Sequence, residues 1–301
     1  MSLRVIEPGL HSLLVDFGRP GSRSLGVAVG GAADRTALAI GNALVGNAPT
    51  ATALEVALSG PVLQADASTA CVVYGARFEI MTELRRFQAG KSFTLATGEI
   101  LQLGGTSLGM HAYLCVRGGF ESKRLLGSCS GLEPVKAGET LRCGPSSIPS
   151  RFVNPSFTWN LEPHALRITE GNQAGWFQSE ELLAQEFTIA PSSNRIGLRL
   201  RGDSLTWPDR QMISEPVCPG TVQVTPDGQC IILGIDCQAI GGYPKIAQVI
   251  SADIDKLAQL CPLSRVQFRR VTIEEAEAGY KSKMEEVHEW LLRIRAVAGS
   301  D

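Results

Sequence analysis

The sequence predicts a mainly β protein with a few helices, an α+β class in which strands dominate. The chain contains 32 glycines and 16 prolines, whose scattered positions indicate many tight turns. Short apolar runs follow one another every 8 to 12 residues or so, separated by Gly or Asp, which is the pattern of a barrel or a sandwich. A helical repeat marks the C-terminal segment, which adds an amphipathic helix to this architecture.

The first half begins with an apolar segment at residues 3–16. Asp34 can then cap a helix that continues to Gly46, because apolar residues recur at helical spacing after it. Between residues 55 and 120 the chain carries the β-type runs VALSGPVLQA, ACVVYGARFEIM, KSFTLA, ILQLGG and HAYLCVRGG.

The stretch GPSSIPSRFVNPSFTWNLEP, residues 144–163, is the richest in turn-forming residues and is the candidate linker. We therefore divide the chain into an N-terminal domain, residues 1–150, and a C-terminal domain, residues 151–301. The alternative, that this stretch is a loop within one interleaved domain, stays open because short strands do not reveal which partners they pair with.

Strands resume after the linker candidate, and a helix is expected at residues 251–261. Thr272 and Glu275 then form a capping-box pattern, which predicts the start of the C-terminal helix. We expect the apolar stripe of this helix to pack on the protein's own barrel. The stripe consists of Ala276, Tyr280, Met284, Val287, Leu291 and Ile294.

Composition excludes several classes of function. Lys and Arg number 28 against 30 Asp and Glu, so the net charge of −2 gives no electrostatic reason to expect nucleic acid or a membrane surface as a partner. No apolar run reaches the roughly 18 to 20 residues that span a bilayer, and the N-terminus MSLRVIEPGLH lacks the apolar core of a signal peptide. A cytoplasmic protein is expected.

The familiar motifs of metal and nucleotide sites are missing from the sequence. The eight cysteines include no CxxC, and the four histidines include no HxH or HExxH, so we expect no bound metal. Gly105–Gly109 matches the GxSxG pattern, but a strand instead of a helix is expected after it, so we interpret the match as accidental. Ala89–Ser92 ends like a phosphate loop, yet Arg85 stands where its first glycine belongs. Cys129 lies in a turn, and we interpret it as a core thiol in preference to a nucleophile.

Two polar clusters are candidates for a functional site. In the first, Asp16 and Arg19 lie three residues apart in a glycine-rich turn that could bind a ligand or simply form a salt bridge. The second follows an apolar strand at residues 234–245 and offers a hydroxyl, an ammonium, an amide and backbone N–H groups. Such a loop can hold and polarise a carbonyl or carboxylate. Its candidate residues are Asp236, Gln238, Gly241, Gly242, Tyr243 and Lys245.

Five blocks of sequence, in order, carry a family resemblance. They are PGLHSLLVDFGRPGSRSLGVAVGGAAD, GNALVGNAPTATALEVALSGP, YLCVRGGFESKRLLGS, SSNRIGLRLRG and SEPVCPGTVQVTPDGQCIILGIDCQAIGGYPKIAQVISADIDKLAQLCP. Together they resemble the biotin-dependent carboxyltransferase or allophanate hydrolase subunit 2 family, to which KipA and bacterial 5-oxoprolinase subunits belong. The resemblance extends from about residue 4 to 297.

The resemblance implies two cyclophilin-like β-barrel domains and a role inside a protein complex. It implies a subunit of an ATP-dependent 5-oxoprolinase, with a partner of the KipI type and a third, lactam-opening subunit. Lys245 would then stabilise an oxyanion, Tyr243 would donate or relay a proton, and Gln238 would join them as a catalytic residue. Asp16, Arg19, Asp236, Gly241 and Gly242 would bind substrate.

The alternatives implied by the same resemblance are a biotin-dependent urea carboxylase component and a KipA-like protein that sequesters a kinase inhibitor. In each enzyme hypothesis ATP or carboxybiotin acts through partner subunits, and this chain binds neither. The sequence departs from the family pattern at Val15, where glutamine is usual, and at Cys129, where arginine is usual. Ala239 and Ile240 replace two threonines. These changes remove polar groups from the expected site and leave the substrate open.

Overall fold

The structure is a computed structural model that describes residues 2–155, 165–208 and 210–298. These residues form many short strands and four α-helices, which confirms the prediction of a mainly β protein. The helices are α1 (Arg35–Leu44), α2 (Ser179–Leu183), α3 (Ile254–Leu257) and α4 (Ile273–Ala298).

The chain forms two compact units that are not continuous in sequence. The first comprises the described residues of Met1–Gly18, Asp34–Asn160 and Glu286–Asp301, and the second those of Arg19–Ala33 and Leu161–Glu285. A short early segment therefore belongs with the second half of the chain. The division at residues 1–150 and 151–301 stays a prediction, and part of the linker candidate, residues 156–163, lies outside the described residues.

The first unit contains two antiparallel sheets. Its strands are β1 (Ser2–Glu7), β2 (His11–Val15), β3 (Ala53–Ala57), β4 (Val62–Ala65), β5 (Thr69–Gly75), β6 (Phe78–Met81), β7 (Arg86–Phe87), β8 (Phe93–Leu95), β9 (Ile100–Thr106), β10 (His111–Val116) and β11 (Thr140–Arg142). One sheet has the order β11-β1-β4-β9-β6-β7 and the other the order β2-β3-β10-β5-β8. Apolar side chains from both sheets form one core.

Helix α1 of the first unit begins where its cap was predicted. The Asp34 carboxylate accepts a hydrogen bond of 2.8 Å from the backbone N–H of Ala37. Gly41 weakens the helix interior but permits close packing, because a Cβ atom there would lie 2.8 Å from the sulfur of Cys115 and 3.1 Å from the Cβ of Tyr74. The cost in helix propensity is thus offset by burial against β5 and β10.

The second unit is built around a closed barrel of seven strands in the order β12-β19-β16-β17-β14-β13-β20, with a separate ribbon of β15 and β18. The strands are β12 (Ala165–Glu170), β13 (Phe187–Ile189), β14 (Gly197–Arg201), β15 (Glu215–Pro216), β16 (Thr221–Val224), β17 (Cys230–Leu233), β18 (Ile240–Gly241), β19 (Lys245–Val249) and β20 (Arg265–Arg270). Alternate residues fill the barrel interior, as in β20, where Val266 and Phe268 are buried. The barrel architecture predicted for this family is confirmed here.

The C-terminal helix α4 begins with the predicted capping box. Thr272 N–H donates to the Glu275 carboxylate at 2.8 Å, and Glu275 N–H donates to the Thr272 hydroxyl at 3.1 Å. The apolar stripe is only partly buried, however, because Tyr280 and Met284 are 46% and 45% exposed. In this half of the helix the packed side is polar: Lys283 Nζ lies 2.6 Å from the Asp255 carboxylate.

Two further expectations can be compared with the structure. The helix expected at residues 251–261 is shorter, with a 3₁₀ turn at Ser251–Asp253 followed by the single turn of α3. Gly105–Gly109 joins strands β9 and β10, which confirms that it is no strand-to-helix elbow. No described helix is long and apolar enough to cross a membrane.

Candidate functional site

The loop at residues 234–245 extends from strand β17 to the first residue of β19. Its middle forms strand β18, which pairs antiparallel with β15, so that Glu215 lies opposite Gly241 and Pro216 opposite Ile240. The backbone N–H of Val217 also donates to the carbonyl of Ala239 at 3.1 Å. The predicted loop is therefore held on one side by a two-stranded ribbon outside the barrel.

Lys245 lies at the start of β19 with its side chain buried. Its ammonium group forms a short ion pair with the carboxylate of Glu215, whose side chain is 38% exposed against 7% for Lys245. The hydrogen bond from Lys245 holds the pKa of Glu215 below its usual value. Since Glu215 is 30 residues away in sequence, this pairing depends on the β15–β18 ribbon.

Gln173 connects the backbone of Lys245 with the side chain of Glu215. Its side-chain oxygen accepts from the Lys245 N–H at 3.1 Å, and its own backbone N–H donates to the Lys245 carbonyl at 3.0 Å. The Gln173 Nε2 atom lies 3.3 and 3.4 Å from the two carboxylate oxygens of Glu215. Sequence reasoning missed both residues, although Glu215 stands in the SEPVCPG part of a family block.

Gly171 permits the close approach of the chain before Gln173 to strand β19. A Cβ atom at this position would lie 2.3 Å from the carbonyl oxygen of Lys245 and 2.8 Å from the nitrogen of Ala247. Both neighbours are backbone atoms in the barrel, so neither can move without disturbing the strand that carries Lys245.

The glycine pair and tyrosine of the loop lie beside Gln223. Gln223 Nε2 donates to the carbonyl of Tyr243 at 3.2 Å, and a Cβ on Gly241 would lie 2.6 Å from the same nitrogen. Gly242 is exposed and lies near the hydroxyl of Ser214. The side chain of Tyr243 is 42% exposed, so its phenol is accessible from solvent.

Asp236 is engaged within the chain by Arg195. Arg195 donates from Nε and Nη2 to the two carboxylate oxygens at 2.6 and 3.0 Å, and Nη2 also donates to the carbonyl of Gly31 at 2.7 Å. Asp236 N–H in turn donates to the Arg195 carbonyl. The predicted substrate-binding carboxylate therefore also joins the loop to the segment at residues 19–33.

Arg19 lies in the same segment and is buried, with 2% of its surface exposed. Its Nη1 atom and Oδ1 of Asp236 lie 3.1 and 3.5 Å from the position that a Cβ on Gly30 would occupy. The structure thus brings Arg19 and Asp236 together beside Gly30, whose φ is +63°. Two predicted residues separated by most of the chain share one neighbourhood in the second unit.

Arg23 also binds this loop, although no sequence pattern singled it out. Its Nη2 donates to the carbonyls of Gln238 and Ala239 at 3.0 and 3.3 Å, and its Nη1 lies 3.8 Å from the sulfur of Cys237. The Gln238 residue is exposed, so its side-chain amide remains accessible while its backbone is fixed.

Asp16 belongs to the first unit, where it holds the turn that includes Cys129. Its carboxylate accepts from the hydroxyls of Ser128 and Ser130 at 2.6 and 2.7 Å and from the N–H groups of Cys129 and Gly18 at 2.6 and 2.7 Å. Burial opposes the charge, but these four hydrogen bonds outweigh it and hold the pKa of Asp16 below its usual value. A ligand at Asp16 would have to compete with them.

Two other features of the structure bear on the site. Among the described residues, no cluster of three or more His, Cys, Asp or Glu side chains could hold a metal ion. A cleft of about 520 Å³ lies beside the β6–β7 hairpin of the first unit, and the predicted site residues do not line it. Its lining consists of Met81, Thr82, Glu83, Leu84, Arg85, Arg86, Ile100 and Gln102.

The sequence blocks and the fold match a known family over most of the chain. The description of the carboxyltransferase domain, subdomains A and B, matches residues 25–270. The chain belongs to this carboxyltransferase A/B family. The matched range includes the whole 234–245 loop, together with Gln173 and Glu215, and stops within strand β20.

Curated relatives of this carboxyltransferase A/B chain fall into two groups. A 5-oxoprolinase subunit of Haemophilus influenzae, of the C type, is 34% identical, with 90% of this chain and 92% of the relative covered. The protein of the same name from Escherichia coli is 33% identical, with 91% and 93% covered. The urea amidolyase of Saccharomyces cerevisiae is 24% identical, and the match covers 92% of this chain but 17% of that protein.

Solved structures confirm the fold of this family member. TTHA0988 is 33% identical with a TM-score of 0.82, over 89% of this chain and 56% of that chain. The urea carboxylase of Kluyveromyces lactis has a TM-score of 0.87 at 24% identity, over 96% of this chain and 29% of that one. The chain thus spans only about half of TTHA0988 and less than a third of the urea carboxylase.

Proposed function

We propose that this chain is a subunit of an ATP-dependent 5-oxoprolinase complex, which opens the lactam 5-oxoproline to glutamate. The observation that carries this proposal is the full-length match to two proteins named as 5-oxoprolinase subunits of the C type, at 33% and 34% identity. The urea amidolyase match, by contrast, is 24% identical and covers 17% of that protein. A role in an enzyme complex agrees with both groups of relatives.

The chemistry that we propose for the second unit uses the loop at residues 234–245. Opening a lactam breaks the ring C–N bond, with a hydroxyl from water added to the carbonyl carbon and a proton added to the nitrogen. The Lys245 ammonium group would stabilise negative charge on the carbonyl oxygen, and the exposed phenol of Tyr243 would donate or relay the proton. Gln238 presents an accessible amide that could hold the substrate.

Substrate binding is proposed for residues around that loop. The backbone at Gly241 and Gly242 can approach a ligand closely because neither residue has a side chain. Arg19 and Asp236 are proposed to shape the same region, since Asp236 is fixed by Arg195 and both lie beside Gly30. A direct role for Asp16 is a proposal of its own, because its carboxylate already accepts four hydrogen bonds.

The complex would contain a KipI-type protein and a third, lactam-opening subunit. The sequence of this chain has no phosphate loop, and we propose that a partner handles ATP. We also propose a cytoplasmic location, without a nucleic acid or membrane partner, in keeping with the net charge of −2.

The carboxyltransferase description of the family supports a second candidate, a component that carboxylates urea. In that case carboxybiotin would be supplied by another protein, since this sequence contains no Met-Lys biotinylation pair. The Lys245 ammonium fits a carboxylate-bearing donor, because in this structure it already binds a carboxylate, that of Glu215. A KipA-like role in sequestering a kinase inhibitor would need no catalytic loop.

The deciding experiment is co-expression of this chain with its two proposed partners, followed by an assay of ATP-dependent glutamate formation from 5-oxoproline. The variant Lys245→Met keeps the apolar stem but removes the charge, and we expect kcat to fall by about 10²- to 10³-fold. Lys136→Ala is the matched control, because Lys136 is exposed and pairs only with its neighbour Glu133 among the ion pairs described.

Size-exclusion chromatography shows whether each variant complex assembles. An assembled parent complex that is inactive on 5-oxoproline contradicts the proposal, and activity on urea with a biotinylated partner then supports the carboxylase hypothesis. If neither substrate reacts while the partner protein still binds, the regulatory hypothesis is favoured.

A further inference from the structure

Glu215 is a charged group next to Lys245 that the proposed reaction does not use. It comes from the two-residue strand β15 outside the barrel, and no sequence pattern pointed to it. Its carboxylate reaches the ammonium group at the start of β19 across the ribbon that also contains Gly241. A residue in this position can control the charge and direction of Lys245.

The burial of the two side chains is unequal. Lys245 is 6% exposed, and desolvation of its ammonium group favours the neutral amine unless an opposite charge is close. Within the described residues, Glu215 supplies the carboxylate that pairs with it. The polar residues next to it, Gln173 and its strand neighbour Gln223, are uncharged amides. The charge of Lys245 therefore depends on Glu215.

The orientation of the pair depends on Gln173. One amide side chain binds the Lys245 backbone through its oxygen and both Glu215 oxygens through its nitrogen, at 3.1, 3.3 and 3.4 Å. Rotation of the Glu215 carboxylate would break these contacts. Three residues from three separate segments thus form one fixed unit, with the ammonium group at its buried end.

We propose that Glu215 is a positioning residue, which keeps Lys245 charged and fixes the direction of its ammonium group. The inference rests on the proposed role of Lys245 in polarising the lactam carbonyl. It also defines that role: a lysine held by a carboxylate acts as a charged hydrogen-bond donor and does not remove a proton from the substrate. Glu215 itself need not touch the substrate.

The test follows the Lys245 side chain directly in the isolated full-length chain. With ¹⁵N-labelled lysine, the Nζ resonance of Lys245 is assigned by its absence in Lys245→Arg, and its titration is followed by NMR. In Glu215→Gln the midpoint should fall by about one pH unit or more, because the buried ammonium loses its counter-charge. Glu215→Asp, which keeps the charge, should restore much of the shift.

Glu186→Gln is the matched control, because that glutamate forms an exposed pair with Arg265 at 3.5 Å in the same unit. It should leave the Lys245 midpoint unchanged. An unchanged midpoint in folded Glu215→Gln overturns the proposal, whereas a shift in both variants would show a general effect of charge and would also overturn it.

Activity of the assembled complex gives the second readout. In Glu215→Gln the alkaline limb of the kcat profile for 5-oxoproline should move to lower pH, while a merely structural defect lowers kcat equally at all pH values. A limb that does not move overturns the positioning role. A parent complex inactive on 5-oxoproline contradicts the proposed function instead, and the Nζ titration still decides whether Glu215 holds the charge on Lys245.

Discussion

Arg195 and Asp236 form a two-pronged ion pair, with Nε 2.6 Å from Oδ2 and Nη2 3.0 Å from Oδ1. The Arg195 side chain is 10% exposed and that of Asp236 32%. Because Nη2 also donates to the carbonyl of Gly31, the guanidinium joins the start of the 234–245 loop to the segment at residues 19–33. The planar fork of arginine suits this task, since a lysine could not make all three contacts in fixed directions.

We predict that Arg195→Ala lowers the free energy of unfolding by about 2 kcal/mol, because it leaves a partly buried carboxylate without its donors. Urea denaturation of the full-length chain provides the measurement. Arg265→Ala, which removes an exposed pair with Glu186, should cost less than about 1 kcal/mol. Equal losses in the two variants would show that the Arg195 pair has no special weight.

Asp16 predicts a dependence of stability on acid. Its pKa is lower in the folded chain than in the unfolded one, so the ionised carboxylate stabilises the fold above its unfolded value of about 3.9. That contribution is lost as pH falls through the folded pKa. We expect Asp16→Asn to be less stable than the parent near pH 7 by about 1 to 3 kcal/mol, with the difference shrinking below pH 4.

The measurement for Asp16 is a series of urea denaturation curves from pH 7 to pH 3. Asp203→Asn, at an exposed carboxylate, is the control and should match the parent throughout. A difference between Asp16→Asn and the parent that stays constant with pH would contradict the role of the charge, and would point to shape alone at the turn of Ser128 and Ser130.

Gly171 gives a prediction about the position of Lys245. In Gly171→Ala the new methyl group would meet the Lys245 carbonyl at 2.3 Å, so strand β19 must shift. We expect a loss of stability of about 1 to 3 kcal/mol and weaker activity of the complex. Gly175→Ala is the matched control, since no atom lies within 4 Å of its Cβ position. Thermal unfolding that is the same for both variants would contradict the close approach.

The fold could be predicted where the signal was local. The Asp34 cap and the Thr272–Glu275 box each depend on residues three apart, and both occur as expected. The alternation of short strands likewise indicated a barrel. The stripe of α4 was predicted less well, because helical spacing shows which residues share a face but does not show what covers that face, and Tyr280 remains largely exposed.

The candidate site could be predicted only in its contiguous part. The 234–245 loop was visible because its polar residues follow one another in sequence. Gln173 and Glu215 lie 72 and 30 residues before Lys245, and Arg23 lies 215 residues before Gln238. Such contacts depend on the register of barrel strands and on the placement of residues 19–33, which short strands do not encode.

The Arg167–Asp253 pair gives the last prediction, which concerns the barrel that carries the site. Asp253 has no exposed surface and accepts from the Arg167 N–H, Nε and Nη2 at 2.9, 3.0 and 2.7 Å. Burial opposes its charge, yet these contacts hold the pKa of Asp253 below its usual value. Removing one partner of such a pair leaves a buried charge unmatched, so Arg167→Ala should cost about 3 to 5 kcal/mol.

Lys256→Ala is the control for this pair, because Lys256 binds the same carboxylate at 3.1 Å from a more exposed position and should cost under about 1 kcal/mol. Since the folded pKa of Asp253 is lowered, the difference between Arg167→Ala and the parent should be full near pH 7 and shrink as pH falls below about 4. Urea denaturation at pH 7 and pH 3 measures it. A loss in Arg167→Ala as small as in Lys256→Ala would mean that water reaches Asp253 and replaces the guanidinium.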